Sequence, residues 1–473
     1  MQTASFENRN YKGAIGYNYT FPNASIAPFE TSEKLSSPYF KIIKDLNFNP
    51  LPASFGFRAD LDRSFIKTQL RNDQLTTFGI EPQFEKAFTM TRTYNLNWNI
   101  MQNLNLNYSA RAFAIVDEPA GEINTEAKND SILNSLSSLG RMKNFDQSVV
   151  AGFQVPFNKI PFTDWITTDL RYKVDFNWTS GSLGQIDSLG HTIQNSAEYG
   201  INAGLNMNKL YNKLKILNQI NNPPRLRAGQ TDTTFQSPAG KLTKSLLKLL
   251  MSVKNITSSY SIRGGTVLPG YRYRPFLFGL DSGFSAPGVP FIFGDQNPNI
   301  RNRAADNDWL AKSESQNGFF MQSTVESFNL KAIIEPFKGL NVQLDFNRVI
   351  NDNYQENFRF REDINDFANF TPSRSGNYVL SYSLINTAFI ASSEDDAPLF
   401  DQFRENRSVI LNRLNQANPN GGEYQENQQD VLIPAFLAAY TGKSADEIMV
   451  KRVQAFCILL VLNPMPFLRI VQF

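Results

Sequence analysis

A strict alternation of apolar and polar side chains over residues 87–116 constrains the fold more than any other feature. Large apolar side chains take even positions of the first run: Phe88, Met90, Tyr94, Leu96, Trp98 and Ile100. Thr and Asn take the odd positions, ending in Asn95, Asn97 and Asn99. The alternation resumes after a turn at 101–103. Because successive side chains of a strand point to opposite faces, the pattern predicts a hairpin with one apolar and one polar face.

The length of this hairpin favours a membrane-spanning wall. Typical globular strands have roughly 5–6 residues, whereas the runs at 87–100 and 104–116 are each more than twice as long. A tilted strand that crosses a bilayer needs about 9–11 residues. A soluble β-sandwich also alternates, with its apolar face in a core. One hairpin therefore leaves both architectures open.

Repetition of the pattern favours the barrel over the sandwich. Further alternating runs lie at 11–21, 55–61, 169–178, 199–208 and 340–347. Such runs are the sequence signature of a transmembrane β-barrel with lipid outside and water inside. The fold class predicted is all-β, with roughly 10–14 strands in one antiparallel meander, forming a transmembrane β-barrel wall, with a few short helices in long loops.

The alternation assigns side chains to the two faces of the predicted wall. We expect one set to face lipid and to be exposed: Phe88, Leu96, Trp98, Leu170, Phe176, Leu205, Leu344 and Phe346. We expect the other set to line a hydrated lumen of mixed charge: Asn95, Asn97, Asn99, Asp169, Arg171, Lys173, Asp175, Asn341 and Asp345. Arg63, Arg92 and Arg348 fall on apolar-face positions, so we expect them to snorkel or to lie outside the membrane.

Composition bounds the chemistry. The chain has 473 residues, one His, one Cys and a net charge of +2. A charge this close to neutral gives no reason to expect a nucleic-acid partner. Cys457 alone cannot form an internal disulfide or a thiolate metal site, and His191 lies in a Gly/Ser/Asp stretch that predicts a solvated loop residue. We predict no enzyme activity, no metal and no cofactor.

Connections of two kinds are predicted. Short turns are expected at 101–103, 156–161 and 335–339, and long loops at 117–144, 181–196, 211–255, 266–318 and 351–377. Helical spacing predicts helices at 242–253, 400–416 and 430–440. The segment 264–308 is dense in Gly, Pro and aromatic residues, which predicts a long, ordered, packed loop rather than a regular strand or a solvated linker.

Three stretches, 259–308, 325–360 and 431–441, resemble the SprA/Sov family, the outer-membrane translocon of type IX secretion in Bacteroidota. The first includes SYSIRGGTVLPGYRYRPFLFGLDSGFSAPGVPFIFGDQ. The resemblance covers residues 9–447. It implies that the predicted wall is an open segment of a very large single-chain barrel, through which folded cargo proteins with a C-terminal sorting domain pass. It also implies a plug protein and a small shuttle barrel as partners, besides the lipid bilayer of the outer membrane.

The ends of the chain suggest a piece of a longer wall. Residues 1–447 are expected to be a barrel segment that begins inside a longer protein, because no signal peptide follows Met1. Residues 448–473 no longer alternate, which is typical of a truncated or frame-shifted end. Three alternative functions are considered. A nutrient-uptake barrel is disfavoured because no plug-like domain precedes the strands, and an outer-membrane enzyme because the sequence offers no catalytic set. A soluble adhesin or β-sandwich array would have short strands.

Overall fold

The computed structural model describes residues 4–33, 37–70, 80–221, 238–337, 339–381, 384, 386–393, 396–416, 424–448 and 450. The chain divides into two compact units. The first comprises residues 1–345 and 353–375, and the second comprises residues 346–352 and 376–473. The predicted tail at 448–473, with Cys457, lies almost wholly outside the described residues.

Eleven strands form one antiparallel sheet in which each strand neighbours the next along the chain. The prediction of a single antiparallel meander of 10–14 strands is confirmed. Strands of 12 to 22 residues reproduce the long alternating runs. The strands are β1 Ala4–Thr20, β2 Ser54–Leu70, β3 Gln83–Met101, β4 Leu104–Ile115, β5 Arg141–Val155, β6 Ile166–Thr179, β7 His191–Asn206, β8 Val253–Tyr271, β9 Phe319–Phe337, β10 Leu340–Arg361 and β11 Asp366–Leu380.

The strand register keeps like residues side by side. Trp98 of β3 pairs with Leu106 of β4, and the neighbouring Asn97 pairs with Asn107. Across β6 and β7, Leu170 pairs with Ile201. A slip of one residue would move every apolar side chain to the polar face, so the matched alternation of neighbouring strands specifies this register.

The connections emerge at two ends of the sheet. The first end carries residues 21–53, 102–103, 156–165, 207–252 and 338–339, and the second carries 71–82, 116–140, 180–190, 272–318 and 362–365. The three predicted short turns share the first end, but so does the long connection 207–252. The loop predicted at 351–377 was wrong, because strands fill most of it. Two other predicted loops are shorter than expected: β7 begins at residue 191 within 181–196, and β8 extends to residue 271 within 266–318.

Short helices lie in the connections of the first unit. They are α1 Lys41–Lys44, α2 Glu126–Ser137, α3 Ile186–Leu189, α4 Met207–Lys213, α5 Lys215–Asn221, α6 Pro238–Leu250, α7 Val289–Ile292 and α8 Ile300–Asp306. Single 3₁₀ turns cover Pro38–Phe40, Phe157–Lys159 and Leu183–Gln185. The helix predicted at 242–253 is confirmed as α6, which begins four residues earlier and ends at Leu250, while Val253 begins β8.

The second unit contains a helical hairpin. Its helices are α9 Pro398–Gln416 and α10 Gln429–Thr441, which confirm the two helices predicted near the end of the chain. They pack through Ile410, Leu414, Val431, Ala435 and Ala438, all at most 4% exposed. The small side chains of α10 allow a close approach of the two helices. Among the residues described, none belongs to a helix long and apolar enough to cross a membrane.

Candidate functional site

The sheet of the first unit has a polar face and an apolar face that continue from strand to strand. One row of the polar face runs from Asn97 through Asn107 and Val150 to Lys173, Glu198 and Arg263. The adjacent apolar row runs from Trp98 through Leu106 and Ala151 to Tyr172, Tyr199 and Ile262. The alternation within each strand thus gives the whole sheet one polar surface and one apolar surface.

In the described part of the chain, the large side chains on the half of the apolar face nearer the first end are not buried. Thirteen large apolar side chains there form what we call the apolar band: Leu96, Trp98, Leu104, Leu106, Phe153, Leu170, Tyr172, Tyr199, Ile201, Tyr260, Ile262, Phe328 and Leu330. Every one of them is half-buried or exposed, and Tyr199 exposes 56% of its surface. A continuous apolar surface of this size is rare on soluble monomers and marks a contact with lipid or protein.

The predicted lumen-facing residues all lie on the polar face. Asn95, Asn97 and Asn99 on β3 and Asp169, Arg171, Lys173 and Asp175 on β6 share this face by register. On β10, Asp345 forms an ion pair of 3.6 Å with Lys331, which pairs with Thr257 on the polar face. Asn341 lies four residues away on the same strand, so it shares this face.

Charges of both signs occur along the polar face and partly neutralise each other. Lys173 lies 2.9 Å from Asp175, and Lys12 lies 2.9 Å from Asp62. Arg58 forms a bidentate contact with Asp60. These pairs are partly exposed, so each contributes little to stability. Their consequence is a hydrated surface without a strong excess of either charge.

Most of the predicted lipid-facing residues lie on the apolar face. Phe88, Leu96, Trp98, Leu170 and Leu205 share it by register, and Leu344 follows by alternation with Asp345. Leu170 and Leu344 are exposed, while the others are half-buried. Phe346 belongs to the second unit and is half-buried there.

Phe176 departs from the expected exposure. Residues 272–318, which we call the covering segment, lie over the apolar face near the second end and leave Phe176 1% exposed. The ring of Phe291 packs edge-on against it at 6.2 Å. Trp178, Ile193, Leu268 and Phe320 are equally buried in this layer. The prediction of an ordered, packed aromatic segment is confirmed from residue 272 onward, whereas residues 264–271 continue β8.

Buried amides fasten the covering segment to the sheet. The side chain of Asn195, on β7, donates to the carbonyl oxygens of Phe291 at 2.7 Å and Asp295 at 3.0 Å. Its own oxygen accepts from Gln296 Nε2 at 3.0 Å, and Gln296 Oε1 accepts from the hydroxyl of Thr266 at 2.7 Å. Because these groups are shielded from water, losing one partner would leave another unsatisfied.

A buried ion pair fastens the same segment to β10. Arg301 Nε lies 2.6 Å from Oε1 of Glu356, whose side chain is fully buried. The other carboxylate oxygen accepts from the hydroxyl of Tyr354 at 2.7 Å, and the Arg301 guanidinium also lies over the ring of Phe320. The N–H of Arg301 does not point along the short contact, so the contact acts through charge rather than as an ideal hydrogen bond.

His191 is a buried structural residue, and its prediction as a solvated loop residue was wrong. It begins β7 and is 2% exposed. Its Nδ1 accepts from the backbone N–H of Gly181 at 3.1 Å, and its ring packs 4.6 Å from that of Trp178. Burial, helped by the charge of Arg274, lowers the pKa of His191 to about 4. The imidazole is therefore neutral near pH 7.

Two of the arginines predicted on the apolar face lie in the described first unit. Arg63 reaches the connection 116–140 and pairs with Glu118 at 2.6 Å. Arg92 is 7% exposed, and its Nε has no hydrogen-bond partner among the described residues. Arg63 thus extends away from the apolar surface, as expected for a snorkelling arginine, whereas Arg92 stays buried. Arg348 belongs to the second unit.

Within the described ranges, no group of three or more His, Cys, Asp or Glu side chains could hold a metal ion. No protein-family model matches this sequence, and no curated protein matches it significantly. The features of the described structure that bear on function are the polar face and the apolar face of the sheet. Sequence reasoning missed Asn195 and Glu356 and wrongly placed His191 in a solvated loop, since single polar residues in a strand carry no signal of the distant segment that buries them.

Proposed function

We propose that this chain forms part of the wall of an outer-membrane β-barrel that conducts proteins. In this role the apolar band meets lipid and the polar face lines a water-filled lumen. Folded cargo proteins pass along that lumen, as in the type IX translocon that the sequence resembles. A plug protein and a small shuttle barrel are the partners that the resemblance implies. Closure of the sheet into a barrel and its insertion in the outer membrane belong to this proposal.

The uncovered apolar band is the observation that carries the proposal. Where this sheet meets protein, its side chains are nearly completely buried, as Trp178 and Ile193 are under the covering segment. Side chains of similar size in the band are not. On β6 the uncovered part of the apolar face runs from Ile166 to Tyr172, and the whole strand of 14 residues exceeds the about 9–11 that a tilted strand needs to cross a bilayer. Lipid is the solvent that such a surface needs.

The opposite face supports conduction rather than simple anchoring. Transmembrane barrels alternate apolar residues toward lipid with polar residues toward the lumen. Here the polar face holds Asn, Ser, Thr and charges of both signs over many strands. Alternating charge offers no extended complementary surface to any one protein. Such a lining suits the passage of many different proteins, none of them tightly bound.

A nutrient-uptake barrel is the second candidate, because it would need the same two faces. The two functions differ in what touches the polar face. Small solutes would leave no lasting contact there, whereas an exported protein would lie against it during transit. Crosslinking from defined positions can therefore separate them.

The test uses photocrosslinking residues placed in the full chain in its own cell. The polar-face variants replace Asn97 or Lys173, and the matched apolar-band variants replace Leu96 or Leu170. We expect crosslinks to exported proteins from the polar-face positions. From the band positions we expect crosslinks to lipid and not to exported proteins.

Different failures point to different alternatives. Lipid crosslinks from the band without any protein crosslinks from the polar face would favour the nutrient-uptake barrel. Exported proteins captured equally at both faces would contradict the assignment of a lumen. Absence of lipid crosslinks at Leu96 and Leu170 would overturn the membrane assignment itself.

A further inference from the structure

The connection between β7 and β8, residues 207–252, carries an amphipathic helix whose apolar stripe is exposed in the described part of the chain. Helix α6 covers Pro238–Leu250. At about 100° per residue, Leu246, Leu249 and Leu250 fall within one arc of about 100°. They are 55%, 56% and 71% exposed. A water-exposed stripe of three leucines is unfavourable unless another apolar phase covers it.

The helix is held in place by a different side. Leu247 packs with Tyr211, Ile220 and Met251 in a small cluster formed by the same connection. The hydroxyl of Tyr211 donates to the carbonyl of Val253 at 3.0 Å, which ties α4 to the start of β8. Since Leu247 anchors the helix inward, the exposure of Leu246, Leu249 and Leu250 follows from the packing.

The exposed stripe belongs to a connection at the first end of the sheet, where other large apolar side chains are also exposed. Val253 begins β8 three residues after α6 ends, and Ile256 pairs with Leu205 on the apolar face. Other residues at this end also expose large apolar side chains: Phe162 between β5 and β6, Leu214 and Ile216 in the same connection as α6, and Phe337 at the end of β9. The apolar band and these exposed residues therefore lie at the same end of the sheet.

The charge of this connection is unlike that of the rest of the chain. Residues 207–252 contain eight Lys or Arg residues and one Asp, a net charge of +7, whereas the whole chain carries +2. On α6, Lys244 and Lys248 lie on the side of the helix opposite the exposed leucines. Lys248, like Lys209 and Lys215 in the neighbouring helices, is exposed to solvent.

We propose that α6 lies in the membrane interface at the first end of the sheet and binds anionic phospholipid. The leucine stripe enters the acyl region, and the lysines reach the phosphate groups. Amphipathic helices that bind membrane surfaces combine these two features. The proposal rests on the membrane location proposed above, because the apolar band and α6 lie at the same end of the sheet.

The test measures how deeply single positions of the full chain enter lipid. A fluorophore is attached to Leu249→Cys, Lys248→Cys or Leu170→Cys in a Cys457→Ser background. Each protein is reconstituted in phosphatidylcholine vesicles, with or without phosphatidylglycerol, that carry a nitroxide on the acyl chain. Aqueous iodide is the second quencher. Leu170 reports on the apolar band and Lys248 on the opposite side of α6.

We expect nitroxide to quench the label at Leu249 several-fold more than the label at Lys248, with the opposite order for iodide. Adding phosphatidylglycerol should increase the nitroxide quenching at Leu249 and leave that at Leu170 unchanged. If nitroxide quenches the label at Leu170 but iodide quenches the label at Leu249, the helix proposal alone is overturned. If iodide quenches the labels at both Leu170 and Leu249, the proposed membrane wall is overturned too. Equal quenching at Leu249 in both lipids would refute the anionic preference.

Discussion

Arg301 in the covering segment and Glu356 on β10 approach to 2.6 Å, with the glutamate fully buried and the arginine side chain 15% exposed. The pair joins residues that are far apart in the sequence. It holds the charged side chain of Glu356, near the end of β10, beneath the covering segment. Because the pair is buried, the covering segment should be sensitive to the loss of either partner. An isolated buried carboxylate is far more costly than a paired one.

Replacement of Arg301 by Met should therefore release the covering segment. The change leaves Glu356 buried without its counter-charge, and the expected loss is about 3–5 kcal/mol. Faster proteolysis and faster amide exchange within residues 272–318 would report it. Asp308→Asn is the matched control, because Asp308 forms an exposed ion pair with Lys312 in the same segment. Equal sensitivity of the two variants would contradict a special role for the buried pair.

The apolar band predicts a strong asymmetry between neighbouring positions on β7. Ile201 lies in the band, and Asn202 lies on the polar face. Ile201→Arg should impair stable membrane insertion, at a cost of about 2–4 kcal/mol near mid-depth. Asn202→Arg should insert like the unmodified chain. Membrane-extraction and heat-modifiability assays would compare the two variants, and similar defects in both would refute the assignment of the faces.

His191 should make the covered region sensitive to mild acid. Its pKa lies near 4 in the folded chain, against an ordinary value of 6.5. Between these values the unfolded chain binds a proton that the folded chain does not, so stability falls as the pH drops through this window. The full loss is about 3 kcal/mol. Stability above pH 6.5 should not depend on this group.

Proteolysis of the covering segment from pH 7 to pH 4 would measure this effect, because Trp178 packs on His191 and donates to the carbonyl of Tyr273 at 2.9 Å. His191→Gln keeps an acceptor near Gly181 but does not titrate. That variant should show a smaller acceleration of cleavage between pH 6.5 and 4. The same pH profile in both proteins would exclude His191 as the cause.

Gly190 should not tolerate a side chain. It joins α3 to β7 with φ of 64° and ψ of −160°, a conformation almost restricted to glycine. A Cβ atom there would lie 2.6 Å from the backbone of Gly270. Gly190→Ala should cost about 1–3 kcal/mol from the backbone conformation alone, measured as a lower unfolding midpoint. Gly184→Ala is the control in the same connection, because its Cβ would meet no atom within 4 Å.

The strands and helices followed from local patterns. Alternation with a period of two residues is imposed by the strand backbone itself, so runs such as 87–100 predicted both their conformation and their two faces. Helical spacing located α6, α9 and α10 for the same reason. The extra length of β10 was missed because its charged residues Glu356, Arg359 and Arg361 resemble a solvated loop when read without their partners.

What covers each part of the apolar face was decided only by the tertiary structure. Phe176 and Leu170 occupy equivalent positions in one alternating run, and the sequence assigns both to the same face. The covering segment, about a hundred residues further along the chain, buries Phe176 and leaves Leu170 exposed. Alternation depends on the local backbone and therefore specifies a face. Whether protein covers that face depends on contacts between residues that are distant in the sequence, and no local pattern encodes those contacts.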